Sequence, residues 1–301
     1  MEANVKRQAV TRSFQVRGEA GSDFGLFGPS SVTWHLHADP AMWLGGVRAL
    51  FLQALHPLAV RGLAQNSAFA QDPAARLVRT GEFIVATTWG TRAQAERAGA
   101  RVRGMHSRMR ISDPDTGRAV RLDHPDLLRW VHCALVQSNL HAVRRAGLRI
   151  SDEQADRYVD EQRRIAVLVG LDDRDVPGSR RALEGYITDV RSALRCTPEA
   201  DQVLRFLLRP SLAGRSRLLW PAWSAGAGLA YSLLPRWARD LYGQDGLSDR
   251  AATAALRAVR MAALAVPCLK RNNFPAPYLA EAIDRLGRAH LPSPRRLRVM
   301  G

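Results

Sequence analysis

The sequence contains almost no lysine. Of its 44 basic residues only Lys6 and Lys270 are lysine, so arginine carries nearly all of the positive charge, and the formal net charge is +16. A strongly basic surface suits nucleic acid or an anionic membrane. The arginines are dispersed, however, and no known nucleic-acid-binding motif accompanies them. We therefore interpret most of them as a solvated surface, expect no nucleic-acid partner, and leave peripheral membrane contact open.

Cysteines and long apolar runs are also scarce. Cys133, Cys196 and Cys268 are far apart and form no CxxC pair, which excludes a disulfide framework and favours a reducing compartment. The first residues contain no apolar core of a signal peptide, and no run approaches the roughly 20 apolar residues of a membrane span. We expect a cytoplasmic protein, and its oligomeric state stays open.

No alternation of strand and helix and no internal repeat occurs, whereas apolar residues recur at helical spacing along most of the sequence. The sequence therefore predicts an all-α chain that forms one domain. A turn-rich connection after residue 110 is compatible with a short hairpin. The predicted helices cover residues 40–65 (kinked near His56 by Pro57), 72–88, 91–110, 125–147, 151–170, 178–195, 198–209, 247–265 and 276–288.

One segment, Leu218–Leu234, is rich in aromatic and small residues. The simplest interpretation is a buried helix that closes the core. The functional alternative is the wall of an apolar substrate channel or a membrane-surface patch.

Three histidines lie on apolar faces of three predicted helices. His106 continues a stripe of Ala98, Val102, Met105 and Met109, His132 lies among Leu128, Val131 and Leu135, and His56 precedes the proline kink. A single core histidine usually donates to a backbone carbonyl, but three raise the chance of a shared centre. No HExxH or paired-carboxylate motif competes with them. Spacing alone leaves haem, non-haem iron and no cofactor open.

A polar face on the helix that starts near Asp72 is the second candidate feature. Arg76, Arg79, Thr80 and Phe83 share this face by their spacing. An arginine on a half-buried face needs an anion such as a carboxylate, a phosphate or a haem propionate. Thr80 can hydrogen-bond a ligand or its own preceding turn.

The order of these motifs resembles a known oxygenase family. The blocks LQALHP, DPAARLVRTGEF, RGMHSRM and WVHCALVQS are similar to the family that unites the rubber oxygenase (latex clearing protein) catalytic domain with the fungal MpaB oxygenase. The hallmark Arg-x-x-x-Thr element matches Arg76 and Thr80, and the axial histidine of a b-type haem matches His106. The remaining histidines of the pattern match His56 and His132.

The resemblance implies a globin-like helical core, with His106 as the metal ligand of haem b. His56, His132 and Arg76 are expected to take part in cofactor binding, and Arg76, Arg79 and Thr80 in catalysis. It assigns the catalytic domain to residues 26–290, between a flexible segment 1–25 and a basic tail 291–301.

Two departures bear on the substrate. A lysine expected beside the threonine is Arg79 here, and the stretch HPLAVRGLAQN contains no carboxylate where a distal glutamate is expected. Rubber is therefore not the expected substrate. We expect O2 and a small apolar substrate, isoprenoid or lipid-like. The alternatives are a non-catalytic haem-binding or haem-sensing protein and a helical scaffold without a cofactor.

Overall fold

A computed structural model describes residues 23–66, 73–209, 220–265 and 278–299. Within these ranges the chain is helical apart from one two-stranded hairpin, which confirms the all-α prediction. The α-helices are α1 Val32–Leu36, α2 Ala41–Ala54, α3 Pro57–Asn66, α4 Pro73–Trp89, α5 Arg92–His106, α6 Pro125–Arg145, α7 Asp152–Leu168, α8 Arg180–Val190, α9 Pro198–Leu208, α10 Trp220–Ser232, α11 Arg236–Tyr242, α12 Asp249–Ala265 and α13 Tyr278–Leu286. The strands are β1 Arg110–Ser112 and β2 Ala119–Arg121, which pair antiparallel with Ile111 opposite Val120.

Helices α2 and α6 form the centre of the fold. They approach closely because residue 45 is glycine, and a β-carbon there would lie 2.8 Å from the Asn139 Oδ1 atom. The buried guanidinium of Arg48 extends from α2 and donates to Ser138 of α6 (2.6 Å) and to the Leu233 carbonyl (2.9 Å). The largest apolar cluster surrounds this pair and includes residues of α7, α9 and α10.

Helix ends explain where the predicted boundaries hold and where they fail. Thr91 and Ser151 form capping boxes with the residues three positions later, as the sequence suggests. The predicted kinked helix over 40–65 is wrong in detail. It is two helices, because Pro57 lacks an N–H and begins α3 rather than continuing α2. Helix α5 ends at His106 instead of Arg110, because Arg110 begins β1.

A buried ion pair holds the hairpin against α3. Arg61, 5% exposed, donates to Asp113 (2.7 Å) and Asp115 (2.8 Å) in the hairpin turn. Asp115 also binds Arg195, beyond α8. The segment that follows His106 is therefore fixed to another part of the fold.

The described half of the aromatic segment, α10, is mostly packed in its second half. Ala227, Leu229 and Tyr231 are buried, which agrees with a helix that closes the core, whereas Ala222 and Ala225 are exposed. The part of this segment before residue 220 lies outside the described residues. No helix in the described ranges is both long and apolar enough to cross a bilayer.

Candidate functional site at the open end of the α4–α5 hairpin

Helices α4 and α5 form an antiparallel pair connected only by Gly90 and Thr91. The Thr91 hydroxyl accepts from the Gln94 N–H, and the Gln94 side chain accepts from the Thr91 N–H, so the second helix begins sharply. In such a pair, residues equally distant from the turn lie side by side. The first turns of α4 and the last turns of α5 therefore meet at one end, which we call the open end.

His106 is the last residue of α5 and is half-buried. It continues the inner face of the helix, where Ala95 and Gly99 are buried and Val102 is half-buried. Gly99 permits close packing on α7, since a β-carbon there would lie 2.7 Å from the Leu168 carbonyl oxygen. The predicted buried stripe is wrong in detail, because Ala98, Val102 and Met109 are only half-buried and Met105 is exposed.

The correction is clearest at Met105, which the sequence placed in the buried stripe. Its side chain is 41% exposed, because it lies about 100° around the helix from His106. The open end thus leaves a partly accessible imidazole at the end of an otherwise packed helix face.

The face of α4 that bears Arg79 and Thr80 is more exposed than the sequence suggested. Arg79 and Thr80 are exposed, and Leu77 is half-buried. Further along the helix, the half-buried Phe83 packs against an apolar cluster that contains Phe27. The interpretation of Arg79 and Thr80 as half-buried is therefore wrong. The Arg76 side chain lies outside the described residues, although its backbone belongs to α4.

The residues at the open end fit a b-type haem. A histidine imidazole is an axial ligand that haem iron takes, and that of His106 is partly accessible. Half-buried Leu77, Val78 and Met109 offer incompletely covered apolar surface to a flat apolar ring. The exposed guanidinium of Arg79 is a partner that suits a propionate. In the described part of the chain no three His, Cys, Asp or Glu side chains come together as a metal cluster, so the histidines stand as single donors.

His132 lies inside the fold on α6. It is 8% exposed, and burial lowers the pKa of its imidazole to about 4, so the side chain is neutral at pH 7. Leu128, one turn earlier, is buried as predicted, but Val131 is 40% exposed and does not belong to the same face.

His56 occupies a different environment. Its Nδ1 atom accepts from the Ala59 N–H at 3.4 Å, and its ring lies 6.3 Å from that of Trp130. Trp130 and His132 are two residues apart on α6, hence about 200° apart around the helix. His56 and His132 therefore face opposite sides of α6, and one centre shared by all three histidines is not supported. The cofactor-binding role of His56 stays a prediction.

A buried chain of side-chain hydrogen bonds was not predicted from the sequence. Thr88 donates to the Ile84 carbonyl (2.7 Å), so its oxygen accepts from the His37 Nδ1–H (2.8 Å). The His37 Nε2 atom then accepts from the Tyr158 hydroxyl (3.2 Å), which also hydrogen-bonds to Asn139. Burial lowers the pKa of His37 to about 3, so this imidazole stays neutral. The only sequence signal was the histidine itself, because its partners come from three distant helices.

The fold and this end of the α4–α5 hairpin define an all-α protein in which a half-buried histidine ends a helix that packs beside an arginine-bearing helix. Residues 34–265 match the family described as "ER-bound oxygenase mpaB/B'/Rubber oxygenase, catalytic domain", and the chain belongs to this family. No curated protein and no solved structure matches the sequence. Family membership indicates an oxygenase.

Proposed function

We propose that this protein is a haem-b-dependent oxygenase that acts with O2 on a small apolar substrate, isoprenoid or lipid-like, with His106 as the axial ligand. The observation that carries the proposal is the half-buried His106 at the end of α5, a helix that packs against α4, which bears the exposed Arg79 and Thr80. Haem, when bound, supplies the activation of dioxygen.

The chain's own residues would bind and orient the group. His106 ends α5, where the carbonyl groups of the last turn carry partial negative charge. This partial negative charge would stabilise a positively charged metal ion beside the ring, which coordinates in its neutral form. Arg76 and Arg79 would pair with the propionates, and Thr80 would donate a hydrogen bond to an oxygen ligand or substrate. The apolar side chains of the open end would exclude water from the reacting groups.

The first test is the absorption spectrum of the purified protein after haem is added. We expect a Soret band in the parent and its loss in His106→Ala. The control is His124→Asn, which removes a half-exposed imidazole and retains a side chain that can cap α6. His106→Gly offers a second readout, because free imidazole should occupy the vacated position and restore the band.

Each spectral outcome separates the alternatives. A colourless parent would exclude haem and lead to analysis for non-haem iron. A six-coordinate, low-spin spectrum that changes in His132→Ala would favour a non-catalytic haem protein, since His132 is buried and neutral. A parent that binds haem should then be tested with isoprenoid and lipid-derived alkenes for incorporation of oxygen from labelled O2.

A further inference from the structure

Positive charge is concentrated between the start of α5 and the turn of the hairpin. This segment contains seven arginines and three carboxylates. Each carboxylate already has a partner: Glu96 lies 3.8 Å from Arg92, and Asp113 and Asp115 bind Arg61 of α3. Most of the arginine charge in this segment is therefore not neutralised locally.

Part of this charge forms a continuous stripe. Arg97, Arg101 and Met105 follow one another at helical spacing on α5, Arg108 lies in the turn just after the helix, and all four are exposed. Among the described residues, none of these three arginines has a carboxylate within ion-pair distance. The set, which we call the α5 stripe, extends about 12 Å along the helix from Arg97 to Met105 and ends at Arg108.

The α5 stripe lies on the outer side of the helix. Ala95 and Gly99 define the inner side, and Arg97 and Arg101 are each two residues further along, about 200° away. His106 belongs to the inner side, so it lies across the helix from the stripe, at a distance of about 10 Å.

We propose that the α5 stripe docks the protein onto an anionic phospholipid surface. A guanidinium donates two parallel hydrogen bonds to a phosphate, and a helix that lies flat on a bilayer presents several of them at once. Met105 in the middle of the stripe adds an apolar contact at the headgroup boundary. The outer side otherwise includes the small residues Ala93, Ala100 and Gly104 and no further large apolar side chain, so attraction is mainly electrostatic and reversible.

Docking in this orientation would hold the open end near the bilayer, where an apolar substrate dissolves. The benefit for an apolar substrate rests on the proposed function, whereas lipid binding itself does not. Near an anionic surface each arginine contributes about fivefold to affinity, so three of them contribute about a hundredfold.

The experiment is co-sedimentation of the full chain with phosphatidylcholine vesicles, with and without phosphatidylglycerol. We expect binding only to the vesicles with phosphatidylglycerol, and weaker binding as salt is added. The combined change Arg97→Glu, Arg101→Glu and Arg108→Glu should weaken binding by about a hundredfold or more.

The matched control carries the same change in net charge elsewhere. Arg181, Arg236 and Arg250 are exposed on other helices and have no carboxylate partner in the described part of the chain. Their combined change to glutamate should reduce binding far less than the change in the stripe. Circular dichroism and thermal unfolding establish that both variants are folded. The salt dependence of binding by the parent protein tests the proposal without any variant.

Three results would overturn the proposal. The first is an equal loss of vesicle binding in the two triple variants. The second is undiminished binding to vesicles of pure phosphatidylcholine. The third is binding of a single-stranded RNA that depends on the α5 stripe, without any binding to vesicles. The failure of the haem proposal is separable, because His106→Ala should retain full vesicle binding. Vesicle binding by a protein that remains colourless after haem is added would support the docking surface and contradict the proposal of a haem-dependent oxygenase.

Discussion

Gly45 lies where the two central helices approach most closely. A β-carbon at this position would lie 2.8 Å from the Asn139 Oδ1 atom, 3.0 Å from the Asn139 Cα atom and 3.2 Å from the Ser138 carbonyl oxygen. Backbone atoms cannot rotate away as a flexible side chain can, so the helices would have to separate. The absence of a side chain is thus what permits the contact.

We expect Gly45→Ala to lower the free energy of unfolding by about 1–3 kcal/mol through overpacking. Gly46 is the matched control, since a β-carbon there meets nothing within 4 Å. Gly46→Ala should raise the free energy by roughly 0.5–1 kcal/mol, because alanine favours the helix. Urea unfolding of both variants checks the pair, and equal values would show that the approach of α2 to α6 is not limiting.

Single residues also mark the limit of sequence reasoning. Periodicity identifies His132 as an inner position, and the structure agrees. Periodicity cannot predict that Gly45 contacts Asn139, which is 94 positions away along the chain. It also misjudges Arg79 and Thr80, because exposure depends on what covers the first half of α4 and not on the spacing within that helix.

At the scale of elements, the hairpin after α5 depends on a buried ion pair. Arg61 and Asp113 have side chains only 6% and 9% exposed, and their charged atoms are 2.7 Å apart. Loss of one partner leaves the other charge buried without compensation. The hairpin begins four residues after His106, so the pair also fixes the chain that leaves the candidate site.

We expect Arg61→Met to lower the free energy of unfolding by about 3 kcal/mol or more. Amide hydrogen exchange should increase from residue 107 to residue 123. Arg121→Met is the control, because Arg121 pairs with Asp123 in the same hairpin but is 55% exposed, and its loss should cost at most about 1 kcal/mol. Similar costs in both variants would contradict a clamping role for Arg61.

The elements themselves were predictable where they are long and capped. The capping residues Thr91 and Ser151 gave the starts of α5 and α7 correctly. Helices α1 and α11 have 5 and 7 residues, too few to show a helical period, and the sequence did not predict them. Proline correctly predicted an interruption at residue 57, but a complete break could not be distinguished from a kink.

At the scale of the whole molecule, the C-terminal segment takes part in the core. The segment 291–301 is basic, as its sequence shows, yet Leu297 is 1% exposed and belongs to the main apolar cluster. Its carbonyl accepts a hydrogen bond from the Gln154 side chain of α7. One leucine among arginines gives no periodic signal, so this closing contact could not be inferred from the sequence.

The buried histidines together make the free energy of unfolding depend on pH. Burial lowers the pKa values of His37 and His141 to about 3 and that of His132 to about 4, all below the ordinary value of 6.5. The unfolded chain therefore binds more protons than the folded one between these values. The free energy of unfolding is fully retained above about pH 6.5 and falls as the pH decreases towards 4.

For His132 alone the difference in pKa corresponds to about 3 kcal/mol at pH 4. We expect His132→Leu, a substitution of similar size, to flatten the fall in stability between pH 6.5 and pH 4 by about this amount. His124→Asn, at a half-exposed position, should retain the slope of the parent. Urea unfolding at pH 7 and pH 4.5 gives the comparison. An unchanged slope in His132→Leu would mean that the pKa of His132 in the folded protein is close to its ordinary value, so that burial does not keep this imidazole neutral at pH 4.5.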